Sequence, residues 1–284
     1  MIVSTLSTPV QPQKPVQPQK RVRSNLQAWY RPTVSPEQGI LLILFGSVVT
    51  GSALAQHWTT STTLALICAF FALQAEYPLI LQIKQRRSWK PRFLVWTGIY
   101  GTVALAIALT LYLQTPQLLS VYLSAAMALI VDAIYVYCHK QKSILNELNG
   151  FAAICLAAPL AYTATTGHLS LDAVALWILN TLFFGSAVFT FKLRKKNACS
   201  RKAGTVYHTV ASAIIITLYG LNCLSLVTAL AFAVAVLKFL LVCWRFNWYR
   251  TTKFHHVALF ETRCALMYIA IAAISVLPAH LPTT

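Results

Sequence analysis

The sequence predicts an all-α membrane protein, a polytopic bundle of about nine transmembrane helices. The first observation is composition: of 284 residues, 57% are apolar and only 10% are charged, with a mean hydropathy of +0.63. A soluble domain carries about 25% charged residues. This much apolar surface does not fit in one soluble core, so the composition excludes a soluble enzyme, a disulfide-stapled secreted domain and a disordered chain.

The second observation is a series of apolar blocks, each long enough (about 17–25 residues) to cross a bilayer as a helix. We place them at about 39–57, 60–83, 93–114, 117–138, 145–166, 169–191, 204–221, 224–244 and 258–279. The seventh and eighth blocks are divided only by residues 221–223. The alternative is one long kinked helix at this point, which would give eight crossings.

The third observation is the distribution of basic residues, which give the chain a net charge of +17. Of the 23 Lys and Arg residues, 21 lie in the amino-terminal tail or in the connections after blocks two, four, six and eight. The positive-inside rule then predicts a cytoplasmic amino terminus and an external carboxyl terminus. With eight crossings, the basic segment 245–253 would lie on the external side of the membrane, against the positive-inside rule, so nine crossings are favoured. The positive charge is therefore explained by the orientation of the chain in the membrane, and no nucleic-acid partner is predicted.

The first 35 residues differ from the rest of the chain. They are rich in Pro, Gln, Ser and Thr, and the pentapeptide VQPQK occurs twice, at 10–14 and 16–20. Such a segment buries little apolar surface, which is typical of disorder. We therefore predict a disordered basic cytoplasmic tail over 1–35 and a transmembrane domain over 36–284.

The candidate site residues are the rare polar groups inside the predicted spans. A charge near the bilayer centre costs at least about 2.5–3.5 kcal/mol, so such groups face a bundle interior or a wet cavity. Five of the six carboxylates and both intramembrane bases fall in the predicted inner half. This shared depth predicts one polar chamber open to the cytoplasm. Its expected lining is Glu76, Asp132, Glu147, Asn149, His208, Lys238, Glu261 and Arg263.

A structural interpretation of the same acids is also open. Glu37, Glu147 and Glu261 each lie in the first turn of a predicted span, where the helix dipole favours a negative charge. Glu76 and Asp132 lie deeper. For these two we expect a buried ion pair with Lys238, Arg263 or a loop arginine.

Motifs of known chemistry are absent from the sequence. There is no phosphate-cradling glycine-rich loop, no HExxH and no GxSxG, so an ATP-driven pump, a zinc protease of that type and an α/β-hydrolase lose support. His255 and His256 adjoin an aromatic segment typical of the membrane interface. We predict neither a metal site nor a cofactor.

Several segments resemble the YwiC-like family of bacterial integral membrane proteins. They are SPEQG at 35–39, LNELNGFAAICLAAPLAYTATTG at 145–167 and LWILNTLFFGSAVFTFKLRKK at 176–196, with Tyr207-His208 following. In the first, Gln38 replaces the histidine of the family's proline–glutamate–histidine–glycine pattern. The resemblance extends over most of 35–280 and implies a multi-pass protein of the bacterial cytoplasmic (inner) membrane, or of an internal photosynthetic membrane if the source is a phototroph. It implies no chemistry.

A more distant likeness is to the UbiA-type prenyltransferases, which share the nine-helix layout. Those enzymes hold a Mg²⁺-diphosphate with two Asp-rich motifs at the inner ends of helices two and six. Here the first position reads QAEYPLILQIKQRR, with Glu76 as its single acid, and the second reads FTFKLRKKNACSRK, with none. Metal-dependent prenyl transfer is therefore disfavoured. Direct binding of a diphosphate by Lys192, Arg194 and Lys195 is a hypothesis that this likeness suggests.

Three classes of function remain open. The first is a protein that binds an isoprenoid, a quinone or another lipid-soluble ligand on a degenerate prenyltransferase-like scaffold, and the one-sided polar cluster favours it. The second is a small-molecule transporter, which needs polar groups at all depths. The third is a non-catalytic membrane assembly protein, in which the charges can be replaced by paired apolar residues.

Overall fold

The computed structural model describes residues 32–34, 38–85, 88–194 and 201–277. Throughout these ranges the regular secondary structure is helical, without strands. The helices are α1 (Gln38–Ala55), α2 (Thr60–Lys84), α3 (Pro91–Gln114), α4 (Leu118–Tyr137), α5 (Ile144–Cys155), α6 (Ala157–Thr166), α7 (Leu171–Leu193), α8 (Arg201–Gly220), α9 (Leu226–Leu230), α10 (Ala233–Trp244), α11 (Phe246–Thr251) and α12 (Phe254–Val276). Most of the predicted tail lies outside the described residues, as do Glu37 and Lys195.

The predicted fold class is confirmed. Within the described ranges, eight helical segments are long and apolar enough to cross a membrane, with α5–α6 and α9–α10 each counted as one segment. The apolar part of α1, Gly39–Ala55, is slightly shorter. Each of these nine segments corresponds to one predicted block.

The doubtful division between the seventh and eighth blocks is a real turn. Asn222 has a φ of +58°, in the left-handed region that Asn tolerates better than most residues. Ser225 then caps α9, because its side chain accepts a hydrogen bond from the backbone N–H of Thr228. The alternative of one long kinked helix is therefore wrong.

Two spans are broken inside the predicted blocks. The fifth is interrupted at Leu156, between α5 and α6, because Pro159 lacks an N–H and its ring crowds the carbonyl of Cys155 four residues earlier. The eighth is interrupted at residues 231–232, where Phe232 and Ala235 bond to carbonyls three residues back. From the sequence, both spans were expected to be continuous helices, and α11 was not predicted.

Hydrogen bonds between helix termini define one end of the bundle, which we call the basic end. At the end of α7, the Lys192 Nζ donates to the carbonyl of Lys142, just before α5, at 2.8 Å. The Arg194 guanidinium donates to the carbonyl of Thr252, just before α12, also at 2.8 Å. Because successive spans alternate in direction, the described cations in connections or at helix ends lie at this end: Lys84, Lys90, Arg92, Lys140, Lys142, Lys192, Arg194, Arg201, Lys202, Arg245, Arg250 and Lys253.

The opposite end is held by neutral groups. The hydroxyls of Thr62 and Thr165 lie 2.6 Å apart and join the start of α2 to the end of α6. The Gln117 side chain accepts a hydrogen bond from the Leu169 N–H at 2.7 Å. The segregation of cations that the sequence shows is thus a property of the folded bundle. That the basic end faces the cytoplasm stays a prediction.

Among the eight long apolar segments of the described chain, α7 is the most buried, and side chains of α1 and α12 contact it. Thirteen of the 23 residues of α7 are buried, and the ring of Phe183 stacks on that of Tyr268 at 3.7 Å between centroids. Gly51 on α1 lies so close to the carbonyl of Ala158 on α6 that a Cβ at this position would collide with it. The small-residue spacing of Ser47, Gly51 and Ala55 therefore marks a close helix–helix contact.

Candidate ligand-binding site

Two charged side chains in the interior of the described bundle form an ion pair. The Lys238 Nζ lies 2.9 Å from Glu261 Oε2, and the two side chains are 3% and 10% exposed. Glu261 Oε1 accepts hydrogen bonds from the hydroxyls of Thr190 at 2.9 Å and Tyr249 at 3.1 Å. Burial and the adjacent carboxylate raise the pKa of Tyr249, which keeps its hydroxyl protonated as a donor. Both carboxylate oxygens thus have protein partners.

This pair differs from two expectations. Lys238 is paired with Glu261 rather than with Glu76 or Asp132. Glu261 is not a first-turn residue, because α12 begins at Phe254 and Glu261 is its eighth residue. The predicted helix start at 258 was four residues late, so the helix-dipole interpretation is wrong for this acid.

Glu147 and Lys192 form a second, more exposed ion pair at the basic end. Their charged atoms lie 3.1 Å apart, and the two side chains are 33% and 14% exposed, respectively. Arg194 bonds to the Thr252 carbonyl and lies 5.7 Å from the ring centroid of Tyr249. Two of the three candidate diphosphate ligands, Lys192 and Arg194, are therefore engaged with protein groups, and the third, Lys195, lies outside the described residues.

Asp132 and Asn149 contact the helices next to them. Asp132 Oδ1 accepts a hydrogen bond from the Asn146 side-chain amide at 2.6 Å. The Asn149 amide donates to the carbonyl of Ala128 at 2.8 Å. These bonds join α4 to α5.

The remaining candidates lie apart from these groups. His208 is buried, its ring stacks on Phe239 at 4.3 Å, and its Nδ1 lies 2.8 Å from the carbonyl of Gly204. Arg263 is exposed on α12. The described candidates therefore occupy several small groups rather than the wall of one chamber.

A central polar network was missed by the sequence analysis. Asn180 on α7 is fully buried; its amide donates to the Thr50 hydroxyl at 2.9 Å, and its carbonyl oxygen accepts from the Tyr268 hydroxyl at 2.6 Å. These bonds join α7 to α1 and α12. An uncharged amide in the middle of the sixth apolar block was the available signal.

Glu76, one of the candidate residues, lines a cavity of about 540 Å³ bordered by α1–α6. Nine alanines and Gly101 account for ten of its 23 lining residues. Leu105 also lines it while remaining 70% exposed. The cavity therefore opens sideways on the apolar outer surface of the bundle. We call it the α2–α6 cavity.

Two polar side chains occupy the part of this cavity nearer the basic end. Ala75 on α2 faces Gly101 on the antiparallel α3. Glu76 and Thr97 therefore lie on the side of this contact that is nearer the basic end. Within the described ranges Glu76 makes no hydrogen bond or ion pair. The hydroxyl of Thr97 is buried and has no hydrogen-bond partner among the described residues. Tyr122 also lines the cavity, but its hydroxyl donates to the carbonyl of Ala108 at 3.2 Å.

A metal-binding arrangement is not found in the described part of the chain. No three His, Cys, Asp or Glu side chains come together there in a way that could hold a metal ion.

The fold and the cavity define a multi-pass membrane protein built of α-helices. Residues 34–162 match the family model described as YwiC-like protein. This segment is slightly less than half of the chain, and over it the sequence is similar to the YwiC-like family. The chain matches no curated protein and no solved structure.

The matched segment is shorter than the resemblance over 35–280 predicted from the sequence. It includes the SPEQG motif and most of the segment 145–167, whereas 176–196 and Tyr207-His208 lie beyond it. It also runs from α1 almost to the end of α6, so it contains every helix that borders the α2–α6 cavity.

Proposed function

We propose that this membrane protein binds an amphipathic, lipid-soluble small molecule of the isoprenoid or quinone class in the α2–α6 cavity. One observation supports this most strongly. A laterally open apolar cavity has a carboxyl and a hydroxyl group without protein partners at one end, whereas most candidate groups elsewhere in the described bundle have partners.

The cavity has a suitable size and lining. Binding sites for small ligands have volumes of roughly 300–1,000 Å³ and apolar walls with a few polar groups. At about 540 Å³ the α2–α6 cavity lies within that range. Its alanines keep the helix surfaces close without filling the space between them, so a chain of isoprene units has room beside them.

The polar end defines the expected head group. A carboxyl group accepts hydrogen bonds when ionised and donates one when protonated, and a hydroxyl does both. Glu76 and Thr97 therefore suit a ligand hydroxyl or a quinone carbonyl. The head group would lie toward the basic end and the apolar chain toward Cys68 and Tyr122.

The proposal does not use the basic residues suggested as diphosphate ligands. Lys192 is paired with Glu147, and Arg194 is bonded to a backbone carbonyl. A diphosphate would have to displace these partners. A neutral head group at Glu76 requires no such exchange.

The test is a cavity-filling substitution with a control on the same helix. Ala108→Phe fills the cavity, whereas Ala106→Phe adds the same ring to an exposed position of α3. Purified variants in detergent are titrated with farnesol and with a short-chain ubiquinone by calorimetry. We expect Ala108→Phe to weaken binding of at least one probe by about tenfold or more, which corresponds to about 1.4 kcal/mol, and Ala106→Phe to leave it unchanged.

A second pair of variants examines the head group. Glu76→Gln should weaken binding, while Glu147→Gln, with the same change of charge outside the cavity, should not. Equal affinities in all four variants and the parent, or no binding of either probe by the parent, would contradict the proposal. Mass spectrometry of lipids extracted from the parent and from Ala108→Phe gives an independent comparison.

A further inference from the structure

A second opening lies at the basic end, between the start of α8 and the corner where α10 meets α11. It encloses about 320 Å³, and its wall contains Arg201, Arg245, Phe246 and Asn247. Trp244 and Trp248 complete the rim. We call this opening the arginine pocket.

The arginines of this region are held by aromatic rings rather than by acids. The Arg201 guanidinium lies 4.2 Å from the ring centroid of Phe246, although the two residues belong to different helices. Arg250 lies 5.5 Å from the same ring, and Arg245 lies 5.2 Å from the ring of Trp244. Stacking fixes the plane of a guanidinium and leaves its N–H edge available for a ligand.

Among the described residues, no neighbouring acid neutralises the positive charge of the pocket. The two ion pairs found among the described residues use Glu147 and Glu261 with Lys192 and Lys238. Neither involves Arg201, Arg245 or Arg250. The positive-inside rule accounts for cations in this connection, but it does not require them to converge on one pocket.

The rim indicates where the ligand would come from. Trp244 and Trp248 are 75% and 47% exposed where the span Leu226–Trp244 ends. Tryptophan is enriched at the level of lipid head groups. The guanidinium fork matches the oxygens of a phosphate group in a bidentate manner.

We infer that the arginine pocket binds a phosphate group at the membrane surface, with Arg201 and Arg245 as its ligands. The phosphate belongs either to the head group of an anionic lipid or to a small soluble phosphate compound. This site is separate from the α2–α6 cavity, and its test uses different variants and probes.

The experiment measures lipid retention by the full chain in detergent. Native mass spectrometry with added phosphatidylglycerol is compared for the parent, for the double variant Arg201→Gln/Arg245→Gln and for the control Lys90→Gln/Lys140→Gln. The control removes the same charge from exposed positions of the basic end. We expect the arginine variant to lose about tenfold or more in affinity and the control to stay within about twofold of the parent.

A third variant adds charge without removing an arginine. Asn247→Glu places a carboxylate in the pocket and should weaken binding, whereas Asn247→Gln should not. These positions are exposed, and equal elution volumes in size-exclusion chromatography check that each variant is folded.

A titration with soluble phosphate compounds distinguishes the two sources of the phosphate group, lipid and free phosphate. Inorganic phosphate and glycerol 3-phosphate are titrated into lipid-depleted protein and followed by ³¹P nuclear magnetic resonance. Binding of phosphatidylglycerol alone assigns the pocket to lipid, and binding of the soluble probes assigns it to free phosphate. In either case the variant Arg201→Gln/Arg245→Gln must abolish the binding. Binding that falls equally in the lysine control, or no binding of any probe, would overturn the inference.

Discussion

Helices α7 and α3 have nearly the same length but contrasting surroundings. Thirteen residues of α7 are buried, compared with three of the 24 in α3. Around α7 the buried charges of Lys238 and Glu261 neutralise each other, and Asn180 joins three helices. Beside α3, Glu76 and Thr97 face a cavity. The comparison suggests that polar groups near α7 stabilise the fold, whereas those near α3 remain available for a ligand.

The largest expected effect is a broken charge pair next to α7. Lys238→Leu leaves the buried Glu261 carboxylate with only two hydroxyl partners, and removing one member of a buried pair costs about 3–5 kcal/mol. Thermal unfolding in detergent should show a large loss of stability. The double variant Lys238→Leu/Glu261→Leu should recover most of it, because no charge is then left unpaired.

The matched control is the exposed pair. Lys192→Leu leaves Glu147 one-third exposed, where water solvates the carboxylate, so we expect a loss of about 0–1 kcal/mol. If Lys192→Leu and Lys238→Leu lowered stability equally, burial would not explain the difference between the two pairs.

A somewhat smaller effect is expected at Asn180. Asn180→Leu keeps a similar volume but leaves the Tyr268 hydroxyl without its acceptor, whereas the Thr50 hydroxyl still donates to the carbonyl of Ser47. An unsatisfied buried group costs about 1–3 kcal/mol. Chemical denaturation of the variant should show this loss, while Asn247→Leu, at an exposed position, should unfold like the parent. An unchanged midpoint for Asn180→Leu would mean that the network does not stabilise the core.

The last pair of variants compares two glycines. Gly51→Ala places a Cβ against the Ala158 carbonyl, and overpacking of this kind costs about 1–3 kcal/mol. Gly98→Ala on α3 meets nothing within 4 Å and should raise stability by up to about 1 kcal/mol through helix propensity. Melting temperatures that shift in opposite directions would confirm that α1 is close-packed at Gly51 and that α3 is open at Gly98. Shifts of the same sign would contradict this difference.

The helical spans were predictable because the bilayer imposes a length on every apolar block. The block at 60–83 became α2, Thr60–Lys84, and the block at 93–114 became α3, Pro91–Gln114. The errors lie where polar residues extend a helix beyond its apolar part. His255 and His256 belong to α12, although a hydropathy argument places them in a loop.

The candidate site was less predictable, because depth in the membrane does not specify which helices are neighbours. Glu76, Asp132 and Glu261 share a similar predicted depth, yet only Glu261 lies beside Lys238. Thr97 carries no charge and so gave no signal, although it shares the cavity with Glu76.

The amino-acid sequence by itself determined how many apolar segments exist and that the cations collect at one end, because segment length and loop charge are properties of contiguous residues. Only the tertiary structure decided that Lys238 pairs with Glu261, that the α2–α6 cavity exists and that Arg201 stacks on Phe246. These features depend on the rotation and spacing of helices that are distant in sequence, and close packing of side chains sets both.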